Sequence, residues 1–141
     1  GFGSGSSNTV GTYTTAGTYT VSYGDSYTSG DYISVAFDQT NGSIWFAKNG
    51  AWQNSATTTE IGAGTTTNSA YSSMPTNGEF YAAAFGLDNN AVTSINYGNG
   101  TFGTTTLSTT YSPTVGDTGA KFKYNIIPTG FTAISTKGYN A

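Results

Sequence analysis

The stretch from Asp31 to Ser55, DYISVAFDQTNGSIWFAKNGAWQNS, leaves this chain little choice of local structure. In its first eight residues Ile33, Val35 and Phe37 fall on one side of an extended backbone and Tyr32, Ser34 and Ala36 on the other. That period of two is the signature of a strand, because a helix would scatter the same residues around its circumference. Asn41-Gly42 and Asn49-Gly50 follow, dipeptides that readily take up the positive φ angles of tight hairpin turns. SIWFAK (43–48) is therefore predicted to return antiparallel to the first strand, and AWQNS to turn back once more. The product is a three-stranded meander whose core side chains are expected to include Phe37, Trp45, Phe46 and Trp52.

The rest of the chain repeats the theme less clearly. TYTVSY (18–23) alternates and reads as a strand, and GDSYTSGD as a turn-rich link. Residues 55–78 lack both period-two and helical patterning and read as a long loop crossing a sheet edge. EFYAAAFGL (79–87) and AVTSINYG (91–98), joined by Asp88-Asn89-Asn90, read as a second hairpin. Its first strand, carrying Phe85, is apolar on both faces and so suits the centre of a sandwich. After another polar loop, Phe122, Tyr124 and Ile126 alternate with Lys121, Lys123 and Asn125, as a closing strand with one wet face would. Gly, Thr and Asn interrupt every window long enough for a helix, and none is expected. Short antiparallel strands, tight turns and polar loops together predict an all-β fold, an antiparallel β-sandwich.

Composition decides whether such a chain folds at all. Only 35% of its 141 residues are hydrophobic and 8% charged, but disorder needs high net charge, and here the net charge is −3 with 15% aromatic residues. A length of 141 residues fits one domain. The basic residues are four lysines, too few for a surface that tracks phosphates, so nucleic acid is not an expected partner. No apolar run approaches the roughly 20 residues that cross a bilayer, so membrane insertion is not expected. Because there is no Cys and no His, disulfides, thiolate chemistry, zinc clusters and His-based triads are excluded. A first residue of Gly instead of Met leads to the expectation of a piece of a longer chain.

Three segments also carry a family likeness: GDYISVAFDQTNGSIWFAKNGAWQNS, GEFYAAAFGLDNNAVTSINYGNGTF and KFKYNIIPTGFTAIST. Their order, with Asn96-Tyr97-Gly98 and Pro128-Thr129-Gly130-Phe131 in place, resembles the C-terminal portion of a SPRY domain of the type found in tailed-phage virion proteins. The resemblance covers about residues 30–136. It implies a concanavalin-like jelly-roll sandwich that binds through its loops and belongs to no enzyme family. The aromatic first-strand block and the G-I-G segment of such domains have no counterpart before residue 30. The N-terminal strands are thus expected to be missing, supplied by another chain or replaced. On this reading residues 1–30 are a Gly/Ser/Thr/Tyr-rich loop and strand segment and residues 31–141 the SPRY-like portion, one domain overall.

Candidate chemistry is sparse. The acids Asp25, Asp31, Asp38, Glu60, Glu79, Asp88 and Asp117 could serve a glycosidase only as a pair facing across a cleft. Their positions at strand ends and beside Gly are those of turn residues. Asp88-Asn89-Asn90, or Asp38 with Asn41, could offer oxygen ligands to Ca²⁺, but short Asp/Asn runs are first of all turns, and no metal or cofactor is expected. Tyrosine gives broad amphipathic contact at low entropic cost, and Ser, Gly and Asn give adaptable hydrogen bonds. Tyr71 and Tyr111, in loops without periodicity, are the favoured ligand-binding candidates, with Tyr13 and Tyr27 behind them. The expected function is a non-enzymatic module of a virion's tail fibre, baseplate or capsid surface, extracellular and recognising host-surface glycan or protein. Its other partners would be virion subunits, in a homo-oligomer or larger assembly. A purely structural decoration protein and a carbohydrate-active enzyme are the alternatives.

Overall fold

The computed structural model describes residues 10–13, 19–74, 76, 92–116 and 118–134. It divides into two compact units, residues 1–78 and 79–141. The described strands are antiparallel and accompanied by little helix, so the all-β class stands at that level. In the first unit β1 (Val10–Tyr13) pairs with β2 (Tyr19–Tyr23) through a register irregular at Thr12/Tyr13.

The predicted meander forms. β3 (Ile33–Asp38) pairs along its whole length with β4 (Ser43–Lys48), from Ile33 opposite Lys48 to Asp38 opposite Ser43. β5 (Ala51–Trp52) then pairs with the end of β4, Trp52 opposite Ala47. The link between β4 and β5 is two residues long, and both take positive φ, 49° at Asn49 and 86° at Gly50. That is the geometry whose twist matches right-twisted strands. The four-residue link from β3 to β4 is held by Asp38, which accepts from the Asn41 backbone N–H at 3.1 Å and from Asn41 Nδ2 at 2.6 Å. It ends at Gly42, with φ of 61°.

β4 is the centre of the unit because both of its edges are paired. Opposite β3, Gln53 N–H bonds to Phe46 C=O at 3.0 Å, Ala70 N–H to Ile44 C=O at 2.8 Å, Ile44 N–H to Tyr71 C=O at 3.0 Å and Met74 N–H to Gly42 C=O at 3.0 Å. Residues 70–74 thus complete the edge that two-residue β5 leaves unfinished. Both faces of β4 are correspondingly buried. On one face lie Ser43 (0% exposed), Trp45 (0%) and Ala47 (1%), with Ala36 opposite Trp45 and Trp52 opposite Ala47. On the other face Phe46 meets Tyr23 edge-on at 6.1 Å between ring centroids, and Tyr27, Ile33, Ile44 and Ala70 pack around the pair.

Among the expected core residues, Trp45 and Phe46 are buried, Trp52 and Phe37 half-buried, and Phe85 lies outside the described residues. Val35, on the same strand side as Ile33 and Phe37, is 54% exposed, whereas Ala36 is buried. The deepest packing is therefore on the Ala36–Trp45 side of the sheet.

Within the 55–78 stretch the described residues hold more order than a loop. α1 (Thr58–Gly62) begins with a capping box: the Glu60 backbone N–H donates to Thr57 Oγ1 at 3.1 Å, and Glu60 Oε2 accepts the Thr57 backbone N–H at 2.9 Å. These bonds satisfy two donors that the start of a helix leaves open, worth about 1 kcal/mol for such a cap. They suffice for a five-residue helix because Ile61 beneath them is fully buried.

In the second unit β6 (Thr101–Phe102) and β7 (Thr105–Thr106) form a small hairpin. Two sequence expectations are corrected there. Residues 92–98 form no strand, with Val92 91% exposed, and the segment from Lys121 onward makes single bridges, Asn99 to Lys121 and Tyr111 to Phe122, in place of a closing strand. The bends at 123–125 and Pro128, which has no N–H to donate, end the pairing. The expected strand at 79–87 lies outside the described residues.

Candidate functional site

Tyr111 comes from a segment with no hydrophobic period, yet its backbone is fixed. Its N–H donates to Phe122 C=O at 2.8 Å and its C=O accepts from Phe122 N–H at 2.9 Å, a reciprocal pair that ties the 107–111 segment to the chain after Lys121. The joined segments border a shallow, open depression of about 330 Å³. Leu107, Ser108, Thr109 and Tyr111 line it from one segment and Lys123, Tyr124 and Asn125 from the other. Leu107 is anchored by its N–H to Gly100 C=O at 2.9 Å, which holds the first segment against the β6–β7 hairpin.

The lining combines aromatic and aliphatic surface with hydroxyl, amide and ammonium groups. Tyr111 is 37% exposed. The Lys123 ammonium lies 5.7 Å from the centroid of the Tyr124 ring, within reach of a cation–π attraction that keeps the amine at the pocket wall. Asn96 braces the neighbouring loop. Its Oδ1 accepts from the N–H groups of Gly98 at 2.7 Å and Gly100 at 3.3 Å, and its Nδ2 donates to Lys121 C=O at 2.9 Å. Such a pocket can stack a ring and satisfy its polar substituents.

The other tyrosine candidates fare differently. Tyr71 belongs to the first unit, is 42% exposed, and is held beside β4 by its bridge to Ile44. Tyr27 packs against the Tyr23–Phe46 cluster, a structural position. Tyr13 closes β1 opposite Tyr19. Lys123, Tyr124 and Asn125 were missed as site residues because their alternation reads as a strand. The usable signal was their three different chemistries side by side, next to a segment ending in Pro128.

The described carboxylates are largely occupied in turns. Asp31 accepts from Thr28 N–H at 2.8 Å and Asn49 Nδ2 at 2.6 Å, and its Oδ2 lies 3.4 Å from Lys48 Nζ. The Thr28 bond first, then Asn49 and Lys48, hold its carboxyl below the usual range. Asp38 builds the β3–β4 turn and Glu60 the helix cap, with Glu60 Oε1 also accepting from Asn68 Nδ2 at 3.1 Å. Among the described residues no three His, Cys, Asp or Glu side chains gather as a metal site would require. No protein-family model, curated protein or solved structure matches this chain.

Proposed function

We propose that this chain is a non-enzymatic binding module that recognises a glycan through the Tyr111 pocket. The observation that carries the reading is the reciprocal Tyr111–Phe122 backbone pair, which presents a part-exposed tyrosine at a pocket also lined by Tyr124, Ser108, Thr109 and Asn125. A preset aromatic wall loses little entropy when a sugar ring stacks on it, and the hydroxyl and amide groups answer the sugar's own. The engagement of Asp31, Asp38 and Glu60 in turn and cap hydrogen bonds supports a binding reading over hydrolysis. A SPRY-like sandwich and a place on the outer surface of a phage virion complete the proposal, and both rest on the sequence resemblance. A glycan array tests it: binding should fall at least tenfold with Tyr111→Ala and change little with Tyr27→Phe, and undiminished binding by Tyr111→Ala would remove the site.

A structural assembly role is the second reading, favoured by Val92 at 91% and Ile134 at 64% exposure in the second unit. Apolar side chains this open are covered when subunits pack together. Sedimentation of the protein with and without Val92→Ser distinguishes it, since loss of self-association in the variant is expected only if this surface is an interface.

A further inference from the structure

Asn-Gly pairs occur in the chain at Asn41, Asn49, Asn77 and Asn99. Such pairs can lose the asparagine amide spontaneously, because glycine has no side chain to keep its backbone nitrogen away from the preceding Cγ. Asn77 lies outside the described residues. Asn41, Asn49 and Asn99 are all exposed, so access of water does not rank them. Their side-chain bonds do. Asn49 Oδ1 accepts the Tyr32 backbone N–H at 2.9 Å and its Nδ2 donates to Asp31 Oδ1 at 2.6 Å, which turns the amide across to the start of β3 and away from Gly50. Asn41 Nδ2 donates to Asp38 Oδ2 at 2.6 Å, which turns its amide back towards the end of β3. In both, a carboxylate sits against the amide and opposes the negative charge that builds up when a nitrogen anion adds to Cγ. Asn99 is held the other way: its side-chain bond runs forward in the chain, Oδ1 accepting the Thr101 backbone N–H at 3.2 Å.

From these placements we infer that Asn99 is a site of spontaneous deamidation, converting to aspartate and isoaspartate ahead of Asn41 and Asn49. The bond from Thr101 to Asn99 closes an Asx turn whose ring contains both atoms that must join, Cγ and the Gly100 nitrogen. The Thr101 N–H also points at the oxygen where charge develops, as an oxyanion-hole donor does. The Gly100 N–H is weakly held, its bond to Asn96 Oδ1 being 3.3 Å long and shared with the Gly98 N–H at 2.7 Å. Solvent base takes the Gly100 proton, the nitrogen bonds to Asn99 Cγ, and the Cγ–Nδ2 bond breaks, with Nδ2 leaving as ammonia after taking a proton from water. Water then opens the succinimide at Cγ to give aspartate, or at the main-chain carbonyl to give isoaspartate. Neither step needs a ligand at Tyr111, so the chemistry stands apart from the glycan reading. It bears on the pocket all the same: the Gly100 C=O anchors Leu107 at 2.9 Å, and an isoaspartate just before Gly100 lengthens the main chain by a methylene.

The test is a time course of the intact protein at mildly alkaline pH, folded and in concentrated guanidinium chloride, read by chymotryptic peptide mapping with mass spectrometry. Cuts after aromatic residues put Asn41, Asn49 and Asn99 on separate peptides. In the folded protein Asn99 should convert about tenfold or more faster than Asn49, which must give up two bonds, one of them to a carboxylate, before it can react. Asn41, tethered to a carboxylate by its amide, should also lag behind Asn99. In denaturant the rates should draw together, since each is then an Asn-Gly pair freed of its partners. Conversion of Asn41 or Asn49 as fast as Asn99 in the folded protein overturns the inference, and so does an Asn99 that stays intact while the protein is folded. The same ranking kept in denaturant also overturns it, because the order would then come from the flanking sequence and not from the turn.

Discussion

Trp45 offers the sharpest test of how the first unit is packed. It is fully buried at the centre of β4, and its indole Nε1–H has no acceptor among the described residues. Trp45→Ala should therefore cost about 3–5 kcal/mol, the usual range for emptying a large aromatic site. Trp45→Phe should behave quite differently. Losing the smaller ring of the indole removes about three heavy atoms from the core, roughly 2 kcal/mol of burial. It also deletes an unpaired buried donor, whose desolvation costs about 1–3 kcal/mol. The two terms nearly cancel, so the Phe variant should lie within about 1 kcal/mol of the parent by the same arithmetic. Urea unfolding followed by circular dichroism measures both, with Trp52 as a fluorescence probe in each variant; an unchanged slope shows that the shift in midpoint reports stability. If Trp45→Phe loses more than about 3 kcal/mol, approaching Trp45→Ala, the indole N–H has a partner and the account of this face is wrong.

Two further outcomes follow from named contacts. Tyr23 is 4% exposed, donates its hydroxyl to Asn68 C=O at 2.8 Å and Gln53 C=O at 3.1 Å, and has its phenol pushed up to about 12, chiefly by burial, with a backbone hydrogen bond at Phe46 pulling the other way. Since the folded state holds this proton more tightly, the contribution is complete below pH 10 and is lost between about pH 10 and 12, roughly 3 kcal/mol in all; a pH titration of urea midpoints in which Tyr23→Phe shows the same alkaline loss as the parent would contradict it. Gly42 and Gly30 both have positive φ, 61° and 90°, but an added Cβ at Gly42 would collide with the Met74 carbonyl, whereas at Gly30 it would meet open space. Gly42→Ala should thus be destabilising by at least about 2 kcal/mol more than Gly30→Ala in thermal unfolding, the excess being the steric part of the cost, and equal losses would refute the close approach of residues 71–74 to β4.

The meander was legible from residues 31–52 because everything that specifies it is local. Alternation sets the strands, and the Asn-Gly pairs set the turns within a few residues of where they act. The capping box Thr57-Thr58-Thr59-Glu60 was equally local, and it went unread only because five helical residues carry no period of their own. Which side of β3 is packed more deeply was not legible. Val35 and Ala36 are neighbours, and hydropathy favours Val35 for the interior, yet Val35 is 54% exposed and Ala36 4% because Trp45 lies opposite Ala36. Tyr111 was favoured over Tyr27 for its place in a loop without periodicity, but that each would have such different surroundings, one against Tyr23 and Phe46, the other at a pocket, was decided by packing.

By itself, then, the sequence determined the strand-forming character of the chain, the antiparallel course of β3 to β5 and the exclusion of His and Cys chemistry. Tertiary structure decided the rest: the completion of β4's edge by residues 70–74, the deeper packing of Ala36 than of Val35 on β3, and the joining of residues 107–111 to 122–125 at one pocket. The physical reason is range. Turn chemistry and side-chain alternation act between near neighbours and leave a periodic trace, whereas a single bridge such as Tyr111–Phe122 depends on two distant backbones meeting, and one pair of hydrogen bonds imposes no period on either segment.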